Sequence, residues 1–497
     1  MYNAQQCKDK LNKAAIVSRW ILQGKLRVLS PLIVGGGNSL ADDCDIVLVK
    51  DENNKPFIPS SSITGALKHA FNDYRYIGNE ADYEKNKLWF WGGEFWQKGI
   101  KRTCQSAMVI SDLGLIGENE QVIAIRDGIK INRRNGMAED EKKFDFEIVE
   151  PGTCFDFQME VILRQAFNSS LFDSFVQWII YKLCEGNFAL GARTGQGFGR
   201  CRLEDEKYFR FDFNNFEHVI KWLSKDYTIP ATKVRISLPE KFKYNYKLFQ
   251  IRARFQIKSS LIIGSYPGTP EEPDKAHIKS KKKDGSSEIC GVIPGSSFRG
   301  AIRSRAERIA KTLDVYDEDK FHELFGWVED KEGKKKAIKG RIAVEESQLD
   351  TSTYEEQIQY RIRIDRFTGG VMKNALFDSM PIWSKDGNKT TVELNLSIKD
   401  YKEWEAGLML LVLKDLWNGD LPIGGEKGIG RGTLQGLEAE IWLDDKKVTI
   451  EQLKDGKLAV YESESGVWEE AAAAKLEKLV KAFCNLKEDV GVLTDVH

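Results

Sequence analysis

Two serine-rich segments have the residue types and spacing of a phosphate-binding helix start. Each segment follows a proline, contains a glycine four or five residues after its first serine, and runs into an amphipathic pattern typical of a helix. Free N–H groups and the positive dipole end of a helix N-terminus suit a phosphate, whereas plain serine capping would explain a single copy. The duplication favours phosphate binding. The candidate contacts are Ser61, Ser62, Lys68, Ser296, Ser297, Arg299 and Arg303.

Two glycine-rich segments form a second pair. They are GARTGQGFGR, from Gly191, and GGEKGIGRG, from Gly424. Glycine permits positive φ and close approach of a ligand backbone, but both segments follow a helical pattern, which excludes a P-loop or a dinucleotide fingerprint. A tight helix-to-strand turn is an equally good interpretation. The basic candidates for ligand binding are Arg193, Arg200, Lys427 and Arg431.

A third pair, IKINRRNG from Ile129 and IRIDRFTGG from Ile362, is typical of a β-hairpin arm with basic and apolar residues near its tip. Apolar side chains there could wedge between stacked bases while arginines hold phosphate. An ordinary solvated hairpin is the alternative. The candidates are Ile131, Arg133, Arg134, Met137, Ile364, Arg366 and Met372.

The three pairs are parts of one long internal repeat. Pro59 and Pro294 are 235 residues apart, Gly191 and Gly424 are 233 apart, and the arms share the latter offset. A weaker pair, SAMVISDL and GRIAVEES, lies between them at an offset of 234. Because this period far exceeds that of solenoid repeats, we expect two fused globular domains.

Each half has the order strands, helix, strands, helix, strand, which predicts an α+β fold. The expected architecture is two tandem ferredoxin-like (RRM-like) domains, each with an inserted β-hairpin arm. The predicted boundaries are 1–240 for the first repeat, 241–446 for the second, and 447–497 for a C-terminal extension with a surface helix.

The composition excludes several classes of protein. Among 497 residues, 74 Lys and Arg nearly balance 75 Asp and Glu, so net charge alone does not attract nucleic acid. The eight cysteines form no CxxC, which argues against disulfide scaffolds and zinc knuckles and favours a reduced cytoplasmic protein. No apolar run approaches the ~20 residues of a membrane span, and the charged first segment is unlike a signal peptide. With five histidines and no close pair, a two-histidine ribonuclease or zinc hydrolase is poorly supplied.

Together, the glycine-rich loop after the first strand, an acidic residue, the serine-rich helix start, the INR arm and the GxGR turn resemble the RAMP family of CRISPR effector proteins. More specifically, the chain is similar to the repeating backbone subunit of type III effector complexes, present twice as in the fusions of the type III-D branch. The resemblance covers residues 20–205 and 248–440.

The resemblance implies a guide-RNA-binding subunit whose partners are guide RNA, target RNA, and other RAMP-type and large subunits of a type III CRISPR complex, with no membrane. It implies that the arms splay a nucleotide at regular intervals and that a loop aspartate supports cleavage of the paired target RNA with a divalent cation, Mg²⁺. Local basic runs, such as KSKKKDG from Lys279 and KEGKKKAIKGR from Lys331, would make RNA binding depend on salt.

The implied catalytic residues are Asp45 and Asp274. In the family pattern the aspartate precedes a short apolar stretch and a basic residue, as Asp45 precedes 46–49 and Lys50. Asp42 and Asp43 are the alternatives in the same loop. The second loop is longer, and aligning Asp274 with Asp45 puts its extra residues between positions 279 and 293, so the second repeat could be inactive.

Three functions remain open. The first is the target-RNA endoribonuclease and backbone subunit, where each aspartate takes the proton of the RNA 2′-OH or holds the cation. The second is a catalytically inert scaffold of the same fold. The third is a guide-precursor processing endoribonuclease acting through histidine or other acid/base groups, which the small number of histidines disfavours. His277, close to Asp274, is more simply an incidental residue.

Overall fold

A computed structural model describes residues 13–36, 44–97, 99–117, 122–132, 135–265, 273–331, 334–385, 389–462 and 467–486. The helices are α1 (Ser60–Phe71), α2 (Glu80–Trp91), α3 (Ser169–Cys184), α4 (Phe216–Leu223), α5 (Gly295–Thr312), α6 (Glu318–Phe325), α7 (Glu403–Asn418) and α8 (Glu470–Cys484). Short 3₁₀ turns lie at Thr194–Gln196 and Lys427–Ile429.

The strands of the first half and the linker are β1 (Ile16–Val28), β2 (Tyr74–Tyr76), β3 (Gly93–Gln97), β4 (Ile100–Cys104), β5 (Met108–Ile110), β6 (Ile123–Ile131), β7 (Ala138–Val149), β8 (Cys154–Arg164), β9 (Phe188–Ala189), β10 (Arg200–Asp212) and β11 (Phe242–Tyr244). Those of the second half are β12 (Leu248–Ile257), β13 (Ser260–Leu261), β14 (Gly264–Ser265), β15 (Ala276–His277), β16 (Lys279–Lys281), β17 (Ile289–Ile293), β18 (Trp327–Lys331), β19 (Lys334–Ile338), β20 (Ile342–Val344), β21 (Ser347–Gln348), β22 (Tyr354–Glu356), β23 (Gln359–Ile364), β24 (Val371–Ser379), β25 (Ile382–Ser384), β26 (Thr391–Lys399), β27 (Leu434–Leu443), β28 (Lys446–Gln452) and β29 (Leu458–Tyr461).

The two halves form mixed α/β units around two main antiparallel sheets. The first sheet has the order β5-β8-β1-β10-β9, and the second has the order β20-β26-β12-β27-β28-β29. The four strands that correspond by sequence motif therefore lie in the same order in both sheets. Alternate residues of β8 and β26 are buried, as expected for strands with one face against a core.

Each sheet shares a hydrophobic core with the helices of its own half. In the first half, Ile63 and Leu67 of α1 and Phe175 of α3 lie in one cluster with Leu22 and Leu26 of β1. In the second half, the corresponding helices α5 and α7 share a separate cluster with β12. Apolar residues at helical spacing on one face of each helix explain this placement.

Strand β11 packs against the core of the first half, and helix α8 of the C-terminal extension packs against the core of the second half. Phe242 of β11 is buried in the first core, and β11 pairs with β2. The contacts therefore change from the first half to the second between β11 and β12. Helix α8 buries an apolar face that includes Leu479 and Phe483 against the second core. It approaches α7 so closely that a Cβ at Gly407 would lie 2.0 Å from the carbonyl oxygen of Leu479. No helix among the described residues is both long and apolar enough to cross a bilayer.

Candidate functional site

Asp45 lies at the base of the first hairpin arm, β6–β7. The backbone N–H of Asp145 in β7 donates a hydrogen bond to Oδ2 of Asp45 at 3.0 Å. The following residue, Ile46, pairs with Phe146 as in a parallel bridge, and its carbonyl accepts the N–H of Glu147 at 2.9 Å. Asp45 is also exposed, so its carboxylate faces solvent while the hydrogen bond to Asp145 anchors it to the arm.

Asp274 occupies the corresponding place in the second half. The N–H of Asp378 in β24 donates to Oδ2 of Asp274 at 3.3 Å, and the N–H of Asp274 donates to Oδ1 of Asp378 at 2.6 Å. Asp145 and Asp378 are 233 residues apart, which is the offset of the arms. Asp274 is also exposed.

The hydrogen bonds of the two loops support the alignment of Asp274 with Asp45. The N–H of Val49 donates to the carbonyl of Val34 at 2.9 Å, as the N–H of Ile278 does to the carbonyl of Ile263 at 2.9 Å. The extra residues of the second loop lie in the β16–β17 hairpin. Asp42 and Asp43 lie outside the described residues.

The charges around the two aspartates differ. In the first arm Asp127 lies opposite Asp145 across the β6–β7 ladder, whereas Tyr360 lies opposite Asp378 in the second arm. A hydrogen bond with Asp127 and, to a smaller extent, burial raise the pKa of Asp145 above its ordinary value. Sequence reasoning missed Asp127, because the internal repeat, which was the main signal, does not preserve it.

The described residues do not form a complete metal site at either aspartate. Within this part of the chain no three His, Cys, Asp or Glu side chains are grouped so that they could hold a metal ion.

The serine-rich motifs do begin helices, but the two starts face different groups. Pro59 and Pro294 are the N-cap residues, and neither of these described starts has a side-chain cap. The N–H of Ser60 donates to Oδ1 of Asp112 at 2.7 Å. At the second start, a Cβ on Gly295 would lie 2.2 Å from the carbonyl oxygen of Gln196 in the first half.

These contacts leave part of each predicted phosphate site accessible. Ser61 and Ser296 are exposed, and Ser62 and Ser297 are half-buried. At the first start, however, the Asp112 carboxylate already accepts one of the N–H groups on which phosphate binding would rely.

The basic residues of α1 and α5 contact the C-terminal ends of neighbouring helices. Lys68 donates to the carbonyl of Gly92 after α2 at 3.1 Å. Arg299 donates to Phe325 O at 2.5 Å and Arg303 to Gly326 O at 2.9 Å, both at the end of α6. Cations at a helix C-terminus are favourable, so these side chains stabilise the fold whether or not they also bind RNA.

The glycine-rich segments are tight turns packed against the protein's own backbone. Gly199 and Gly432 have φ of 77° and 76°, and in both a Cβ would lie 1.8 Å from a main-chain carbonyl oxygen of the same turn. Such positions exclude any side chain, which explains their glycines without a ligand.

The basic residues of these turns have distinct surroundings. Arg193 lies over the rings of Phe144 and Phe146, with its guanidinium carbon 4.8 and 4.3 Å from their centroids. Arg200 pairs with Glu345 of the second half at 2.5 Å. Arg431 is 2% exposed, whereas Lys427 is exposed.

The two arm motifs form the paired strands β6–β7 and β23–β24, which carry exposed apolar side chains. In the first, Ile131 and Met137 are exposed; in the second, Ile364, Met372 and the fully exposed Phe367 flank the turn. Arg366 is exposed, whereas Arg133 and Arg134 lie outside the described residues.

His277 and the first basic run are engaged in the fold. His277 is buried; its Nδ1 accepts the N–H of Ile263 at 3.2 Å, and its Nε2 lies 3.0 Å from the carbonyl of Val292. Burial lowers the pKa of His277 to about 4, so the ring is neutral. In KSKKKDG, Lys279 pairs with Glu356 at 2.6 Å and Lys282 with Glu288 at 2.8 Å.

The family relationship follows the repeat found in sequence and structure. The family model described as the RAMP superfamily matches residues 25–202 and again residues 254–435. No curated protein sequence matches the chain. Members of this superfamily are CRISPR-associated RNA-binding subunits, often ribonucleases. Two matches in one order, over most of both halves, show that the chain belongs to the RAMP superfamily and contains two fused RAMP repeats.

Proposed function

We propose that this protein is a guide-RNA-binding backbone subunit of a type III CRISPR effector complex, of the type III-D branch, which cleaves the paired target RNA. Its partners are guide RNA, target RNA and the other RAMP-type and large subunits. The observation that best supports this proposal is the equivalent position of Asp45 and Asp274 at the bases of the two arms. Each is exposed and anchored by the backbone of its own arm through residues 233 apart.

Each repeat, in this proposal, is a ferredoxin-like unit with an inserted arm. The chain order β1-α1-β5-β8-α3-β10 and its counterpart β12-α5-β20-β26-α7-β27 support this assignment. So does the shared sheet order. The arm β6–β7 directly precedes β8, which is the third strand of the first core. The arm β23–β24 precedes β26, the third strand of the second core, with the short strand β25 between them.

The proposed chemistry uses the nucleophile that RNA itself carries. Exposed apolar side chains of the arm unstack the target so that one nucleotide is splayed out. This places the 2′-OH in line with the adjacent phosphate, and such positioning can lower the barrier by about 7–11 kcal/mol. Asp45 or Asp274, at the base of the arm, accepts the 2′-OH proton. The 2′-oxygen then bonds to the phosphorus, the P–O5′ bond breaks, and the 5′-oxygen takes a proton from water, which leaves a 2′,3′-cyclic phosphate and a 5′-hydroxyl.

We propose that cleavage also requires a divalent cation, Mg²⁺. Asp45 and Asp274 are the residues that would hold it, together with RNA oxygens and water, and for each carboxylate this role is the alternative to accepting the proton. When bound, such an ion stabilises the negative charge that develops at the scissile phosphate.

The decisive experiment uses the complex assembled with guide RNA and labelled complementary RNA, in Mg²⁺ and in EDTA. We expect Asp45→Ala to remove one discrete product and Asp274→Ala another, each by about 10²-fold or more, with target binding retained. Asp51→Ala, in the turn after the first loop, is the matched control and should leave both products unchanged. Full cleavage by the double variant, or in EDTA, would contradict the proposal.

A catalytically inert scaffold is the second candidate, and one observation favours it. Both aspartates accept a backbone N–H of the arm, a structural role that would account for them without chemistry. In that case the alanine variants would loosen the loop but change no product, and cleavage would come from a neighbouring subunit.

A further inference from the structure

The first arm is attached to the second repeat by a buried ion pair. Arg126, in β6, makes a bidentate contact with Glu346: Nη1 lies 2.5 Å from Oε2 and Nη2 lies 3.3 Å from Oε1. The side chains are only 4% and 3% exposed. Arg126 immediately precedes Asp127, which faces the residue that anchors Asp45.

The other strand of the same arm is attached to the second repeat as well. Glu150, directly after β7, is buried, and its Oε2 accepts the hydroxyl of Ser280 at 2.6 Å and the N–H of Lys281 at 3.2 Å. Ser280 and Lys281 belong to β16, in the loop that is longer in the second repeat. Both ends of the arm's base are therefore held by the neighbouring repeat.

The second arm is held differently, by its own repeat. Gln359 stands 233 residues after Arg126, and its Oε1 accepts Nη2 of Arg431 at 2.5 Å. Arg431 in turn pairs with Glu426 at 2.8 Å, and Arg361 of β23 pairs with the same carboxylate at 2.9 Å. These four residues all lie in the second repeat.

We propose that Arg126 and Glu346 are positioning residues for the first site, so that the second repeat sets the orientation of the first arm and of Asp45. The inference rests on the proposed cleavage function. Removing one partner leaves an uncompensated buried charge, whereas replacing both with apolar residues removes the need for pairing. The single variants should therefore disturb the first arm and the Asp45-dependent cleavage more than the double variant does.

The test compares full-length Arg126→Gln, Glu346→Gln and the double variant Arg126→Met/Glu346→Leu in the assembled complex. Arg305→Gln is the matched control, because Arg305 pairs with Asp415 at 2.6 Å within the second repeat. Two quantities are measured: amide hydrogen exchange in β6–β7 and β23–β24, and the amount of each cleavage product.

We expect the single variants to exchange faster in β6–β7 but not in β23–β24, and to lose the Asp45-dependent product about tenfold while the Asp274-dependent product persists. The double variant should recover most of both properties, because Glu150, which also interacts electrostatically with Arg126, keeps its hydrogen bonds from Ser280 and Lys281. Arg305→Gln should change neither property. Unchanged exchange in β6–β7, or equal effects on both arms, would overturn the inference. If wild type does not cleave, the proposed function fails, and the exchange data alone decide whether the second repeat holds the first arm.

Discussion

The two repeats have the same backbone frame but different chemistry at the junction of turn and arm. Arg193 and Glu426 are 233 residues apart, and both adopt the left-handed conformation, with φ of 58° and 55°. Arg193 lies over aromatic rings of the first arm, whereas Glu426 lies between two arginines. Backbone hydrogen bonds set the frame, so side chains at equivalent positions can change sign without changing the register.

The largest loss of stability is expected at the glycine turns, where the backbones of the two repeats are most alike. Gly199→Ala and Gly432→Ala should each lower the free energy of unfolding by roughly 2–4 kcal/mol, because a Cβ would meet a backbone carbonyl at positive φ. Thermal or urea unfolding measures the loss.

The matched control is Gly428→Ala, since no atom lies within 4 Å of a Cβ there. It should change stability by less than about 0.5 kcal/mol. Tolerance of alanine at Gly199 but not at Gly432 would mean that the two turns do not share one frame.

A smaller effect is expected on the pH dependence of stability, because the second repeat has the buried His277. Burial depresses the pKa of His277 from 6.5 to about 4, so the unfolded chain binds more protons between these values and stability falls as pH falls through this window. From about pH 7 to about pH 5 the loss should be near 2 kcal/mol.

The first repeat has Leu48 at the position aligned with His277. His277→Leu should therefore be less stable at neutral pH, because two hydrogen bonds are lost, but should show a flatter pH dependence in urea unfolding. An unaltered slope in the variant would show that other groups cause it.

The smallest effect concerns the acid that the repeats do not share. Asp127→Asn removes a negative charge beside the first site and should tighten target-RNA binding about twofold at ~0.05 M salt, with no change at ~0.5 M salt. Tyr360→Asp should weaken binding by a similar factor. Filter binding at the two salt concentrations checks both, and identical affinities at low salt would place these side chains away from the RNA path.

The order of elements could be predicted from sequence because it depends on local patterns. Pro59 and Pro294 each precede a helix at Ser60 and Gly295, and both arm motifs form paired strands. Periodicity and turn residues act over a few positions, so one sequence with an internal repeat carries this information twice. The alignment of Asp274 with Asp45 also came from sequence, and the hydrogen bonds of the two loops support it.

Long-range contacts decided the roles of several basic residues, because exposure depends on what packs from elsewhere in the chain. Lys68 and Arg303 look like surface cations at helical spacing, yet they meet the ends of α2 and α6. Arg431 is buried by partners far away in sequence, and Arg200 pairs across the repeats. No local pattern encodes such partners.

Sequence patterns were enough to predict two RAMP-like repeats, their element order and one candidate aspartate in each. The different attachment of the two arms, through Arg126 and Glu346 in one and through Arg431 in the other, became visible only in the folded protein. Main-chain hydrogen bonds set the backbone register that both repeats share, whereas side chains of the second repeat hold the first arm through contacts between residues far apart in sequence.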